Sequence, residues 1–270
     1  MQLSFLRRTG TGRAILTVED MKLGARTSTI HAKLSQPSPK APHALEVKVA
    51  GYITVSPASA EEGISAPTHW GLHPAVPGGS GAGGQANLDK LRETDNDGVW
   101  TYLPVPFPEF RRAGQQVRLY GPDPRRTRVE APRTGVVDQW AQFCPGGNRG
   151  GKWTDAAVGF LADMFPAALD RFDSMASSAE GGSGGGGVGE GGKIARFWYP
   201  TVTLTVDFKK RLPAGGADWL YSRIHSKVMR DGRTDIDVVI LDEGGDVVAI
   251  SSQVGLVVSS SRNLGKKAKM

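Results

Sequence analysis

DWLYSRIHSKVMRDGRTDIDVVILDEGGDVVAISSQVGLVV, Asp218 to Val258, contains three strand-like runs divided by two turn signals. The runs are Trp219 to Met229, Asp235 to Leu241 and Val247 to Val258. Asp231-Gly232 and Asp242-Glu243-Gly244-Gly245 mark the turns, because Gly and Asp tolerate the positive φ that tight hairpins demand. Short turns between such runs make an antiparallel meander.

Working backwards, Trp198 to Lys209 is a fourth strand-like run. Glu180 to Gly192, EGGSGGGGVGEGG, interrupts the chain before it, and Pro77 to Gln85, PGGSGAGGQ, does the same further upstream. Both read as flexible loops, since glycine loses the most backbone entropy on ordering. Residues 154 to 165 are expected to form a helix. Thr154 can cap it, Asp155 suits its N-terminus, and Pro166 disfavours helical geometry at the residue before it. Phe160, Leu161, Met164 and Phe165 make this helix apolar around much of its girth, so it should be nearly buried. Gly135 to Phe143 supplies a strand ahead of it. A strand, a buried helix and then a meander is the order a hotdog fold requires, in which a curved sheet wraps one helix.

The N-terminal segment repeats only part of that order. Ala14, Leu16 and Val18, and again Leu45, Val47 and Val49, alternate with polar or small residues at the period of a half-buried strand. Thr27 to Leu34 is rich in β-favouring Thr and Ile, so residues 1–57 should give three or four antiparallel strands without a helix. Residues 58–133, broken by Pro104, Pro106 and Pro108, are expected to form an irregular connection lying partly on the surface. Residues 134–260 would then be a complete second domain with an insertion at 180–192, followed by a basic tail at 261–270.

These stretches resemble the acyl-CoA thioesterase II family, and within it the fungal thioesterase-like branch. Asp218 to Val258 is similar to the family's closing strands, and PTVTLTVDF (Pro200 to Phe208) and GFLADMFP (Gly159 to Pro166) are similar to its fungal branch. FLRRTGTGRAILTVEDMKLGARTSTIHAKLSQ (Phe5 to Gln36) resembles the later strands of the family's first hotdog. The resemblance implies an α+β double hotdog whose first repeat is incomplete and lacks its helix, as a chain truncated at the N-terminus would. It also implies hydrolysis of an acyl-CoA thioester by a water held between an Asp, a Thr and a Gln. Carried over by position, these are Asp163 in LADMFP, Thr201 in YPTVTL and Gln253 in SSQVGL.

The residues themselves weigh unequally. A carboxylate at Asp163 sits close to a helix C-terminus among apolar neighbours, where both the helix dipole and desolvation oppose its charge. It therefore needs a use or a partner; the plain alternative is a helix-end Asp pointing at water. Thr201 alone says little, since Thr is an ordinary strand residue. Gln253 shares parity with Val247, Ala249, Ser251 and Val257, and whether that face points inward is open from the pattern alone.

Other chemistries find less support. Gly187 to Lys193 has P-loop spacing, but Ile194 stands where the magnesium-binding Ser or Thr belongs. Ser183 lies in a G-x-S-x-G within a glycine run that cannot form a strand-to-helix elbow. His69 and His73 have i, i+4 spacing, but Gly71 and Pro74 argue against a helix there. No metal or redox cofactor is implied. Cys144 is the one cysteine, so no internal disulfide forms, and nothing nearby in sequence would activate it. The net charge of +6 sits mostly in loops and the tail, with no basic helix and no interleaved aromatics. The plain reading is solvated loops, which would also attract a small polyanion such as a CoA phosphate group. An acyl-CoA substrate, and no nucleic acid, is what the family resemblance implies.

No apolar run reaches the roughly 18 residues of a membrane span, and no apolar stretch follows Arg7 and Arg8 as in a signal peptide. The expected location is cytoplasmic or peroxisomal, the latter because Ala268-Lys269-Met270 resembles a variant peroxisomal signal. A homo-oligomer stays open. So do two alternatives of other classes: a hotdog with acyl-binding or dehydratase-like rather than thioesterase chemistry, and a fragment acting as an interaction module.

Overall fold

The computed structural model describes residues 1–57, 59, 61–78, 86–123, 135–165, 169 and 196–260. The strands of the N-terminal unit are β1 (Gln2–Phe5), β2 (Ile15–Lys22), β3 (Ser28–Pro37) and β4 (Leu45–Val55). Next come helix α1 (Leu88–Thr94), β5 (Trp100–Leu103), β6 (Val117–Pro122), β7 (Val136–Phe143) and helix α2 (Asp155–Ala162). The chain continues through β8 (Phe197–Trp198), β9 (Thr201–Phe208), β10 (Trp219–His225) and β11 (Met229–Arg230). It closes with β12 (Arg233–Leu241), β13 (Val247–Leu256) and β14 (Val258–Ser259).

Twelve strands form one antiparallel sheet in the order β2-β3-β4-β1-β9-β13-β12-β10-β7-β6-β5, with β11 pairing β12 alone. The two halves repeat one topology. The spatial order β10-β12-β13-β9 matches β2-β3-β4-β1 when each half is read in chain order, and β1 and β9 join them antiparallel with Leu3 opposite Leu204. This is a double hotdog. Of its two helices with described bounds, α2 lies against the concave face, and the buried Leu169 joins the same core cluster.

The closing meander forms where the sequence predicts it. In β12 the residues Thr234, Ile236, Val238 and Ile240 are buried while Asp235 and Asp237 are not, the alternation of a pleated strand with one face in the core. Asp231 and Gly232 both have positive φ, 50° and 71°, and close the two-residue β11–β12 hairpin. In β13 a register shift lets Val248 and Ala249 both reach the core, so the simple parity starting at Val247 is broken at that end of the strand.

Helix α2 is shorter than expected, ending at Ala162 rather than near Phe165. Asp163 N–H donates to the Phe160 carbonyl (3.3 Å) and Met164 N–H to the Leu161 carbonyl (3.0 Å), so the last turn tightens to i, i−3 bonds. Thr154 occupies the N-cap position, but its side chain makes no capping bond. Asp155 instead accepts the Leu212 N–H at 2.9 Å, tying the helix start to a loop. Val158, Leu161 and Ala162 are buried against Leu204, Ile236, Val238 and Ala249 of the enclosing sheet.

Residues 58–133 differ from the expected irregular connection. β5 and β6 extend the sheet beyond β7, and α1 lies over its outer face. Leu91 of α1 packs with Trp100, Tyr120, Trp140, Trp219 and Tyr221 in a second buried cluster. Most of these aromatics are separated in sequence by many residues, so no local periodicity announces the layer. The prolines at 104, 106 and 108 fall between β5 and β6 and interrupt neither strand. The glycine-rich stretch 180–192, most of that at 77–85, the arginines at 125–133 and the tail lie outside the described residues.

Candidate active site

Asp163 closes α2 with φ −92° and ψ 5°, leaving the helix as the chain turns into the core. Burial raises its carboxyl from the ordinary range to about 6, and a hydrogen bond from Thr201 partly offsets that rise. The Thr201 hydroxyl donates to Asp163 Oδ1 at 2.8 Å. Thr201 reaches it because it is the first residue of β9, opposite Gly255, where the β9–β13 register shifts. The shift frees the start of β9 from the regular pleat and aims the hydroxyl at the helix end.

Gln253 points inward and is 4% exposed. Its Nε2 donates to the Ala162 carbonyl at 2.7 Å, one residue before Asp163. Its Oε1 has no hydrogen-bond partner among the described residues. The structure thus joins Asp163 and Thr201 directly and anchors Gln253 on the backbone that carries Asp163. Asp163 retains some access to solvent, while Met164 and Phe165 beside it are buried. The arrangement presents a partly exposed carboxylate with its pKa raised to about 6, and a buried, unpartnered amide oxygen on Gln253, whose nitrogen is anchored to the backbone one residue before Asp163.

Two polar residues here have no counterpart in the sequence reading. Gln139 of β7, 0% exposed, donates to Ser222 Oγ at 3.0 Å and approaches the Met164 carbonyl at 3.4 Å. Their signal was present but weak: each sits at an apolar parity, Gln139 between Val137 and Ala141 and Ser222 between Leu220 and Ile224.

The other candidates find no place in a site. His69 and His73 lie in non-helical chain, and no group of three or more His, Cys, Asp or Glu able to hold a metal occurs among the described residues. Cys144 is buried and burial pushes its thiol up, away from the thiolate a nucleophile needs. Arg118 is engaged locally, with its guanidinium 4.0 Å from the centre of the Tyr102 ring and bonded to Asp95 at 2.6 Å. The P-loop-like and G-x-S-x-G stretches lie outside the described residues.

With this geometry in place, the comparisons with known proteins define the class. Residues 87–257 match the profile described as acyl-CoA thioesterase C-terminal domain, and residues 1–56 that described as acyl-CoA thioesterase N-terminal domain. The chain belongs to the acyl-CoA thioesterase family and, with it, to the thioester hydrolases. Among individual relatives, the thioesterase-like protein TwmA of Talaromyces wortmannii is 30% identical, over 97% of this chain and 76% of that one. A conserved hot dog fold protein of unknown function from Alicyclobacillus acidocaldarius superposes with a TM-score of 0.62 at 15% identity, covering 96% of this chain and 77% of the other. Acyl-CoA thioesterase II TesB2 of Mycobacterium marinum superposes at 0.57, also at 15% identity, covering 97% and 80%. Likeness at that identity bears on the fold, and both structures support the double hotdog.

Proposed function

We propose that this protein hydrolyses acyl-CoA thioesters, with Asp163 as general base. Asp163 takes a proton from a water, whose oxygen attacks the thioester carbonyl carbon. The C–S bond then breaks, and the departing thiolate recovers the proton, releasing a carboxylic acid and free CoA. Thr201 holds the carboxylate in orientation, and Gln253 Oε1 accepts the water's second hydrogen. Such positioning meets the ordering entropy before the chemical step. The observation that carries this proposal is the Thr201–Asp163 hydrogen bond at a carboxyl whose pKa lies at about 6, close to the working range of a general base.

The direct test is release of free thiol from a panel of acyl-CoAs. Asp163→Asn should lower kcat/KM by about a hundredfold or more, the usual scale of general-base catalysis. Thr201→Val should cost less. The base must be ionised, so kcat/KM should fall as pH drops through about 6. An Asp163→Asn variant with undiminished hydrolysis would remove the carboxylate from the mechanism.

A further inference from the structure

Gln139 and Gln253 approach the same turn of chain from opposite sides. Gln139 stands on β7 and Gln253 on β13, with β10 and β12 between them. Strands so placed lie about 14 Å apart along a sheet. Their side chains nonetheless close on backbone atoms two residues apart, because the sheet curls around the C-terminal end of α2. Gln253 Nε2 donates to the Ala162 carbonyl at 2.7 Å, and Gln139 Nε2 meets the Met164 carbonyl at 3.4 Å. Asp163 is the residue between them.

The amide orientations follow from this network. Turning either amide over would place its oxygen against a carbonyl oxygen. As they stand, both Oε1 atoms are buried without a hydrogen-bond partner among the described residues. An apolar side chain at position 139 would avoid that penalty, so packing alone gives no reason for a glutamine. Ser222, directly opposite on β10, accepts from Gln139 at 3.0 Å and fixes its side chain.

Among the described residues, the other charged groups of the enclosing elements lie away from Asp163. On β7, β9, β10, β12 and β13 the alternation puts Asp138, Asp207, Arg223, His225, Arg233, Asp235 and Asp237 on the outer face. Asp155 is at the other end of α2, the Met1 ammonium bonds the Val206 carbonyl at 2.8 Å, and Arg111 lies over the Tyr199 ring. None of these contributes to the upward shift of the Asp163 carboxyl, which burial causes and the Thr201 hydrogen bond partly offsets.

We propose that Gln139 is a positioning residue, whose amide forms with that of Gln253 a two-sided clamp on the carbonyls flanking Asp163 and holds the Asp163 carboxyl in place against Thr201. The proposal rests on the reading of Asp163 as general base. Gln139 acts through the backbone of residue 164 and need not touch substrate.

Two substitutions at position 139 should move Asp163 in opposite directions. Gln139→Met keeps the length but loses the amide, so the turn loosens, water reaches the carboxylate, and its titration midpoint falls by about one unit. Gln139→Glu brings a second negative charge close by and raises the midpoint. The readout is the ¹³C titration of the Asp163 carboxyl, assigned with Asp163→Asn, alongside pH profiles of kcat and KM for an acyl-CoA turned over by the wild type. Gln139→Met should lower kcat about tenfold with KM changed less than about threefold. The acid limb of each variant should follow its own titration midpoint.

An Asp163 midpoint that stays put in both folded variants would overturn the clamp. If Asp163→Asn leaves hydrolysis intact, the proposed function fails, and the titrations still decide whether Gln139 holds Asp163. Should neither variant fold, the wild-type protein decides: slow exchange of the Gln139 side-chain amide protons supports the hydrogen bonds, and exchange at the rate of a solvated amide refutes them.

Discussion

The two halves of the sheet share a topology and differ in what covers them. In β10-β12-β13-β9 the concave face closes on α2, and six of the seven residues of β10 are buried. In β2-β3-β4-β1 every residue of β2 is exposed, with Leu16 at 66% and Val18 at 52%. Both halves are held by continuous antiparallel ladders, and both carry register shifts, at Asp20–Lys22 and Leu34–Ser35 in one and at Ile240–Leu241 in the other, so pairing does not distinguish them. The covering layers do. The C-terminal half has α2 on one face and α1 with its aromatic cluster beyond the other. A sheet becomes a core only when a second layer removes its apolar face from water. The paired glutamines and Asp163 are found in the half that has such a layer, where burial gives a carboxylate its raised pKa.

The widest separation between the halves should appear in hydrogen exchange. Amides of β10, β12 and β13 should open only with the whole domain, while those of β2 open locally. The rates should then differ by roughly a thousandfold or more, given typical domain stabilities. Equal, strong protection in a demonstrated monomer would mean that the first sheet is stable without a covering helix. Next in size is the response to truncation. Ile236→Ala, at a fully buried position of β12, should destabilise by about 2–5 kcal/mol, and Leu16→Ala on β2 by no more than about half a kcal/mol. Denaturant melts of the two variants would measure that contrast, and similar losses would erase it.

A third effect belongs to the covered half alone. The carboxyl of Asp163 has a folded pKa of about 6 against an ordinary 3.8. The folded state therefore holds the proton more tightly than the unfolded chain. The resulting penalty is absent below about pH 4, builds as pH rises, and is complete above about pH 6. At 1.36 kcal/mol per unit it amounts to about 3 kcal/mol. Asp163→Asn should thus be more stable than wild type at pH 8 by an amount of that order, and close to it at pH 4. A stability difference independent of pH would contradict the burial argument. The smallest change concerns the outer layer. Asn87 accepts the Lys90 N–H at 2.9 Å as the N-cap of α1, so Asn87→Ala should cost about 1 kcal/mol in thermal or chemical melts.

The strands of the closing meander were legible from residues 218–258 because alternation and turn chemistry are local. Asp231-Gly232 needs only its own φ angles, and Ile236, Val238 and Ile240 need only a pleat. The buried helix was legible from its apolar girth, though its last turn was not, because the tightening at Asp163 comes from the way the chain enters the core. Asp163, Thr201 and Gln253 could be named by family resemblance and weighed by local chemistry, but alternation alone left the direction of Gln253 undecided. Only the wrapped sheet decides it, since a strand's parity is relative until another layer marks one face as inside. The same holds for Gln139, a lone polar residue in β7 until the curl of the sheet brings it to the Met164 carbonyl. The layer of α1, β5 and β6 escaped the sequence for a related reason: its aromatics come from residues 100, 120, 140, 219 and 221, and only the fold brings them together. Local sequence sets which residues can line a face. Long-range packing sets which face is buried, and with it where a carboxylate is held near neutrality.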